Sequence, residues 1–217
     1  GKVAFISCQD KLRATEDLAQ NIIAFGAHAV KHQGDYIYCS AAVAGYQGET
    51  TTAVNTSSTP ATYAAHWRQC SKKADNRLLE TTLPEYRMFD DHEFGGDNWD
   101  HTVTQAQSAL NVASGGTQAE VDNSWWVARQ AAAWYMQGNP ANTDPGVAAE
   151  KPSSAGAGTP ASQYPVAYYR FTVGDIEVFC IDCFSYRSPL TATDNAAKTM
   201  LGAVQKAWLK AALASSG

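Results

Sequence analysis

Between positions 88 and 101 the chain gathers five carboxylates and two imidazoles: Asp90, Asp91, His92, Glu93, Asp97, Asp100 and His101, with Gly95-Gly96 in their midst. Neighbouring carboxylates repel one another unless a proton or a cation holds them together. Hard oxygen donors beside an imidazole therefore suit a divalent or trivalent metal. The plain alternative is a solvated acidic loop with no ligand, since most charge runs are simply wet. Two other short stretches weigh against that alternative, Ser7-Cys8-Gln9-Asp10 and Gly34-Asp35-Tyr36-Ile37-Tyr38.

Each of the three stretches follows a segment that reads as a strand. Residues 2–7 predict a short buried strand ending on Ser7-Cys8. Thr15-Glu16-Asp17 then marks a helix start with acid in its first turn, Leu18, Ile22 and Phe25 form its inward face, and Gly26 stops it. A second strand begins near His28 and closes on Gly34-Asp35. Tyr86, Met88 and Phe89 predict a third, running out of the interior to deliver Asp90, Asp91, His92 and Glu93 at its exposed end, where glycine turns the chain. Polar groups thus collect at the C-terminal ends of strands, the edge at which α/β sheets bind ligands.

Elsewhere, residues 45–60 read as a Gly/Thr/Ser-rich surface loop and 62–81 as one or two amphipathic helices. Thr117-Gln118-Ala119-Glu120 is a capping box opening a helix whose face is Val121, Trp125, Ala128, Ala132 and Tyr135. Residues 139–164 are a long Pro/Ala/Gly/Ser excursion. Residues 166–173 and 176–182 alternate as two strands about a Gly174-Asp175 hairpin turn. Residues 202–213 form a short helix with Trp208, Leu209 and Leu213 inward.

The 217 residues suffice for one large domain with a proper core. A net charge of −5 without a basic stripe argues against nucleic acid as a polyanionic partner, although a bound metal would still admit a phosphate ester. No apolar run reaches membrane-spanning length, and Gly1-Lys2-Val3 is neither an initiator methionine nor a signal peptide, so the chain reads as a mature product or a cut piece. The five cysteines, Cys8, Cys39, Cys70, Cys180 and Cys183, leave at least one free, metal-bound or paired outside the chain. With Cys8 set apart, the other four allow two disulfides in three arrangements. Cys180 and Cys183 read as a strand end and the loop after it rather than a redox or zinc pair. The sequon at Asn55-Thr56-Ser57 and the scarcity of lysine fit an exported protein, secreted, at the cell surface, or periplasmic if bacterial. His28, His32, His66 and His101 belong to no motif and are taken as structural or surface residues.

Taken together, the three loops resemble those of the PhoD-like alkaline phosphatases, a branch of the metallophosphoesterases related in its site to purple acid phosphatases. Segments 126–136, 169–187 and 199–209 resemble family segments that frame the site. The resemblance implies an α/β sandwich of two facing mixed sheets flanked by helices, and hydrolysis of phosphate mono- or diesters by a metal-activated water. It also implies roles. Cys8 sits where the family supplies a thiolate to ferric iron, Asp35 where a carboxylate bridges two metals, and Tyr38 where a phenolate binds iron. Asp91, with Asp90 in its shell, would serve the second metal, calcium. His92 would lie near the phosphate, stabilising charge or protonating the leaving oxygen. Asn98 and Arg187 are weaker candidates for phosphate contacts.

Two departures stand beside the matches. The family carries a Gly-Asp-x-His-type loop further along, absent before Gly217, which implies a single domain over 1–217 cut before its last metal loop, with the remaining ligands in a missing C-terminal segment or a partner chain. Where the family reads Asp-Thr-Arg-Ser-Tyr-Arg, this chain has Asp182-Cys183-Phe184-Ser185-Tyr186-Arg187. The second reading is accordingly a catalytically silent structural or binding protein that keeps the phosphatase scaffold.

Overall fold

The structure is a computed structural model, and it describes residues 1–8, 17–39, 43–46, 49–51, 54, 58–96, 127–128, 131, 168–184 and 186–216. Its centre is a parallel sheet of β1 (Val3–Ile6), β2 (Ala29–His32) and β5 (Glu85–Arg87), in the order β1-β2-β5. Between β1 and β2 runs α1 (Leu18–Ala24), making a parallel strand-helix-strand unit. A hairpin, β3 (Val43–Tyr46) and β4 (Glu49–Thr51), follows, then α2 (Pro60–Ser71) and α3 (Ala74–Thr82) lead into β5. The antiparallel pair β6 (Tyr169–Val173) and β7 (Ile176–Cys180) turns at Gly174, whose φ is +62°. The last element, α4, is Ala203–Ser215.

Side-chain alternation along the strands divides these elements into layers. Ala4, Ile6 and Val30 face α1 and α3, packing with Ala19, Ile22 and Leu79. Val3, Tyr86 and Met88 meet the β6–β7 hairpin through Tyr169, Phe171, Val178 and Cys180, with the rings of Tyr86 and Phe171 stacked at 3.6 Å. The far side of that hairpin receives Trp208 and Ala212 of α4 against Tyr168. The result is helix, sheet, sheet, helix, with β2 buried along its whole length.

Among the described residues, the expected mixture of strand directions lies between sheets and not within them: the central sheet is wholly parallel and the hairpins antiparallel. Residues 45–60 are more than a loop, since they hold part of a hairpin and the start of α2. Thr59 caps that helix and Pro60 occupies its first turn, where a missing N–H costs nothing. β1 is only partly covered, with Phe5 53% exposed. Phe25 and Leu213 point outward and not into the core; the Lys2 ammonium lies 4.7 Å from the Phe25 ring. At α4 the inward place beside Trp208 is taken by Gln205, which bonds the Asp182 N–H and C=O and the Leu201 carbonyl. None of the five cysteines is in a disulfide, so none of those arrangements forms. Val127, Ala128 and Ala131 are helical and buried. The capping box at 117–120, the sequon and the excursion at 139–164 lie outside the described residues.

Candidate metal centre

Parallel strands deliver their C-terminal ends to one edge of a sheet, and here three loops meet there: Cys8 after β1, Gly34 to Tyr38 after β2, and Asp90 to Glu93 after β5. The Cys8 N–H donates to the Gly34 carbonyl at 3.2 Å, joining the first loop to the second. The second loop presses against the third at Gly34, whose φ is +113°. A Cβ there would lie 2.5 Å from the Cβ of Asp90. Only glycine tolerates both that backbone angle and that approach.

The third loop is a short 3₁₀ turn, Asp91–Glu93, capped reciprocally by Asp90 and Glu93. Asp90 spends one oxygen on the Asp91 N–H at 2.8 Å. Glu93 is not at an exposed end, as the acidic run suggested, but 1% exposed. Its Oε1 accepts from the N–H groups of Tyr36 at 2.6 Å and Ile37 at 3.2 Å, and its Oε2 from those of Asp35 at 3.0 Å and Asp90 at 2.7 Å. Burial pushes this carboxyl up to about 8, against the pull of those donors. Both oxygens accept twice, so the two loops are arranged around this one carboxyl group. The Asp90-x-x-Glu93 spacing of a capping box was the signal for this in the sequence.

Helix α2 holds the same loops from behind. Trp67 stacks on Tyr36 at 5.3 Å, and the Tyr63 hydroxyl donates to the Phe94 carbonyl at 2.8 Å. Tyr36 thereby points into the core, where its ring lies 4.1 Å from the Arg87 guanidinium and its hydroxyl donates to Glu80. His32 accepts the Gly34 N–H on Nδ1 at 3.3 Å, which leaves Nε2 to carry the proton.

In front of this support, Asp35, Asp91 and His92 each offer a ligand atom, and these atoms lie within 4.8 Å of one another. Asp35 is 7% exposed, and its Oδ1 is buried without a hydrogen-bond partner among the described residues. A buried carboxylate with an oxygen left over for a ligand, grouped with a second carboxylate and an imidazole, fits a hard cation, which would satisfy all three. The Cys8 thiol and the Tyr38 phenol both reach Asp35, the phenol at 3.4 Å, and the Tyr38 and His92 rings lie 4.2 Å apart. Cys8 and Asp35 both adopt left-handed backbone conformations, φ +55° and +54°, a strain typical of functional sites.

The electrostatics point the same way. Burial raises the Asp35 carboxyl, only partly offset by His92. Burial likewise raises Asp90 to about 6. The Tyr38 phenol is pushed far up by burial and by the charges of Asp35 and Cys8. The Ser7 hydroxyl pulls the Cys8 thiol down, but burial and Asp35 outweigh it. Burial first, and then the mutual repulsion of these groups, disfavours their charged forms, and a bound cation would offset both.

The residues proposed from the sequence fare differently. Cys8, Asp35, Tyr38, Asp91 and His92 come together at one edge, with His92 among the ligand atoms themselves. Asp90 borders them outside the three-residue group. Arg187 stacks its guanidinium 4.3 Å from the ring of Phe184, and the half-buried Cys183 thiol feels both Asp90 and Arg187. Asn98 lies outside the described residues.

A layered α/β fold with parallel and antiparallel sheets, whose strand-end loops bring a carboxylate–imidazole group to one edge, defines the class: an α/β domain with a group that could hold a metal ion. The sequence pattern of the PhoD-like phosphatases matches residues 3–217, and the chain belongs to that family. A solved structure described as "Structure of PhoD" superposes with a TM-score of 0.67 at 20% identity, covering 99% of this chain and 39% of that one. The likeness shows the fold, and the chain spans well under half the length of that relative. Comparison with curated proteins returns no match. Among the described residues no helix is long and apolar enough to cross a membrane.

Proposed function

We propose that the chain carries the metal-binding portion of a hydrolase acting on phosphate esters. The observation that carries this reading is the convergence of Asp35, Asp91 and His92, whose ligand atoms lie within 4.8 Å of one another. Cys8, Tyr38 and Asp35 would hold ferric iron, and Asp35 and Asp91, bordered by Asp90, would hold calcium. The chemistry such cations supply is charge neutralisation at phosphate oxygens and acidification of a water for in-line attack. His92, beside that group, would bind a cation or donate to the leaving oxygen, and Arg187 and Asn98 would contact the phosphate. Export from the cell remains part of the proposal, on the strength of the sequon and composition.

The test is elemental analysis of the purified chain together with hydrolysis of a chromogenic phosphate ester. Near-stoichiometric iron and calcium, with turnover lost in Cys8→Ala, supports the enzyme. Metal-free protein that binds neither ion on addition refutes it. A second reading, a scaffold without turnover, is favoured by Phe184, which replaces an arginine of the family pattern and lies under Arg187. Metal binding with no hydrolysis of mono- or diesters would select it.

A further inference from the structure

We infer that Glu93 is the positioning residue of this centre, a strut that sets the distance between Asp35 and the Asp91–His92 pair while taking no part in ligation. The inference rests on the metal reading above and adds the device that makes the site rigid before a cation arrives.

Three ligand atoms within 4.8 Å of one another come from two loops separated by more than fifty residues, and two of them are carboxylates that repel. Carboxylates brought this close need bonds from their own loops to hold their spacing. Glu93 supplies them. One side chain accepts the N–H groups of three consecutive residues, Asp35, Tyr36 and Ile37, from the second loop and that of Asp90 from its own. Three successive amides converging on one carboxylate form a small anion-binding nest, filled here by a residue of the neighbouring loop. The nest fixes the backbone of Asp35 in its left-handed conformation and so aims its Oδ1. Because both Glu93 oxygens are engaged, the acid that directly follows His92 is withheld from the cation. His32 and Gly34 complete the brace, the first accepting the Gly34 N–H, the second allowing the loops to touch.

Hydrogen exchange at single-residue resolution and calcium titration, both on the full chain, test this. In the wild type the amides of Asp35, Tyr36, Ile37 and Asp90 should be protected as a group. Glu93→Gln replaces one accepting oxygen by an amide that faces N–H donors. Protection in both loops should fall together, α4 amides should stay protected, and calcium affinity should drop about 10- to 100-fold. Glu93→Asp keeps the charge but is a methylene shorter, and it should lose affinity as well, which separates reach from charge. Wild-type amides exchanging as open backbone, or a folded Glu93→Gln binding calcium as the wild type does, would overturn the inference. Should Glu93→Gln not fold, the wild-type protection pattern decides alone. If the amides are protected and released as described but the wild type binds no calcium, the strut stands and the metal reading falls.

Discussion

Replacing Gly34 by alanine asks whether the second and third loops truly abut. The added Cβ would lie 2.5 Å from the Asp90 Cβ, 2.7 Å from the Asp90 nitrogen and 3.0 Å from the Phe89 carbonyl carbon, all within a backbone that cannot swing aside as a flexible side chain would. The residue would also be forced to φ +113°, at a cost of about 1–3 kcal/mol. Overpacking adds roughly 1–3 kcal/mol. Relief by moving Asp90 draws its N–H from Glu93 and leaves a buried donor unpaired, at about 1–3 kcal/mol. Since strain and movement trade off, we expect a loss of about 3–6 kcal/mol, a large part of the 5–15 kcal/mol typical of a domain. Urea unfolding followed by fluorescence measures it, and calcium titration of the folded fraction should show weakened binding. A variant within about 0.5 kcal/mol of wild type, the spread of ordinary surface changes, would mean that the loops do not touch as described.

Four further outcomes follow from the same structure. Asp35→Asn removes a carboxylate whose charged form burial disfavours, so the metal-free variant should melt higher than wild type while losing the gain that saturating calcium gives, about 2.7 kcal/mol at a hundred times Kd; calorimetry with and without calcium checks both. Cation binding should expel protons from groups held high, such as Asp90 at about 6, so apparent affinity rises with pH, and titrations in buffers of different ionisation enthalpy should report the release. Burial, with Arg87 and Lys31, lowers His32 from 6.5 to about 3; the unfolded chain therefore takes up a proton that the fold refuses, and this contribution to stability is present above pH 6.5 and lost on descending toward 3, at up to about 1.4 kcal/mol per pH unit. Unfolding of His32→Phe, measured across that window, should have a correspondingly flatter dependence. Gln205→Ala leaves the buried main-chain N–H and C=O of Asp182 without their partner, for a loss of roughly 2–4 kcal/mol in thermal or urea unfolding, with the Cys183–Arg187 segment loosened first.

Much of the site was legible because residue types alone restrict its chemistry. A thiol, a phenol and several carboxylates at the ends of three strand-like runs suit a hard or borderline cation, and the strand-helix-strand order puts those ends on one edge. The hairpin around Gly174 was equally plain, because alternation and a turn residue with positive φ are both local signals. Glu93 was not legible in its true role. Its type says acid, and acids are read as solvated or ligating, whereas its burial and its four donors depend on where a loop some fifty residues earlier folds back. Phe25 and Leu213 failed for a related reason: apolar character predicts a preference for the interior, but the neighbouring layer has only so much surface to offer.

By itself, then, the order of residues determined the local elements, the turn positions and the stock of donor groups, since propensity, period and chemical type act over a few positions. Tertiary structure alone decided which donors share a point in space, which acid is spent on backbone amides, and which oxygen is left without a partner. Those outcomes depend on the packing of α2 behind the loops and on the approach of Gly34 to Asp90, contacts between segments whose spacing along the chain carries no information about their distance.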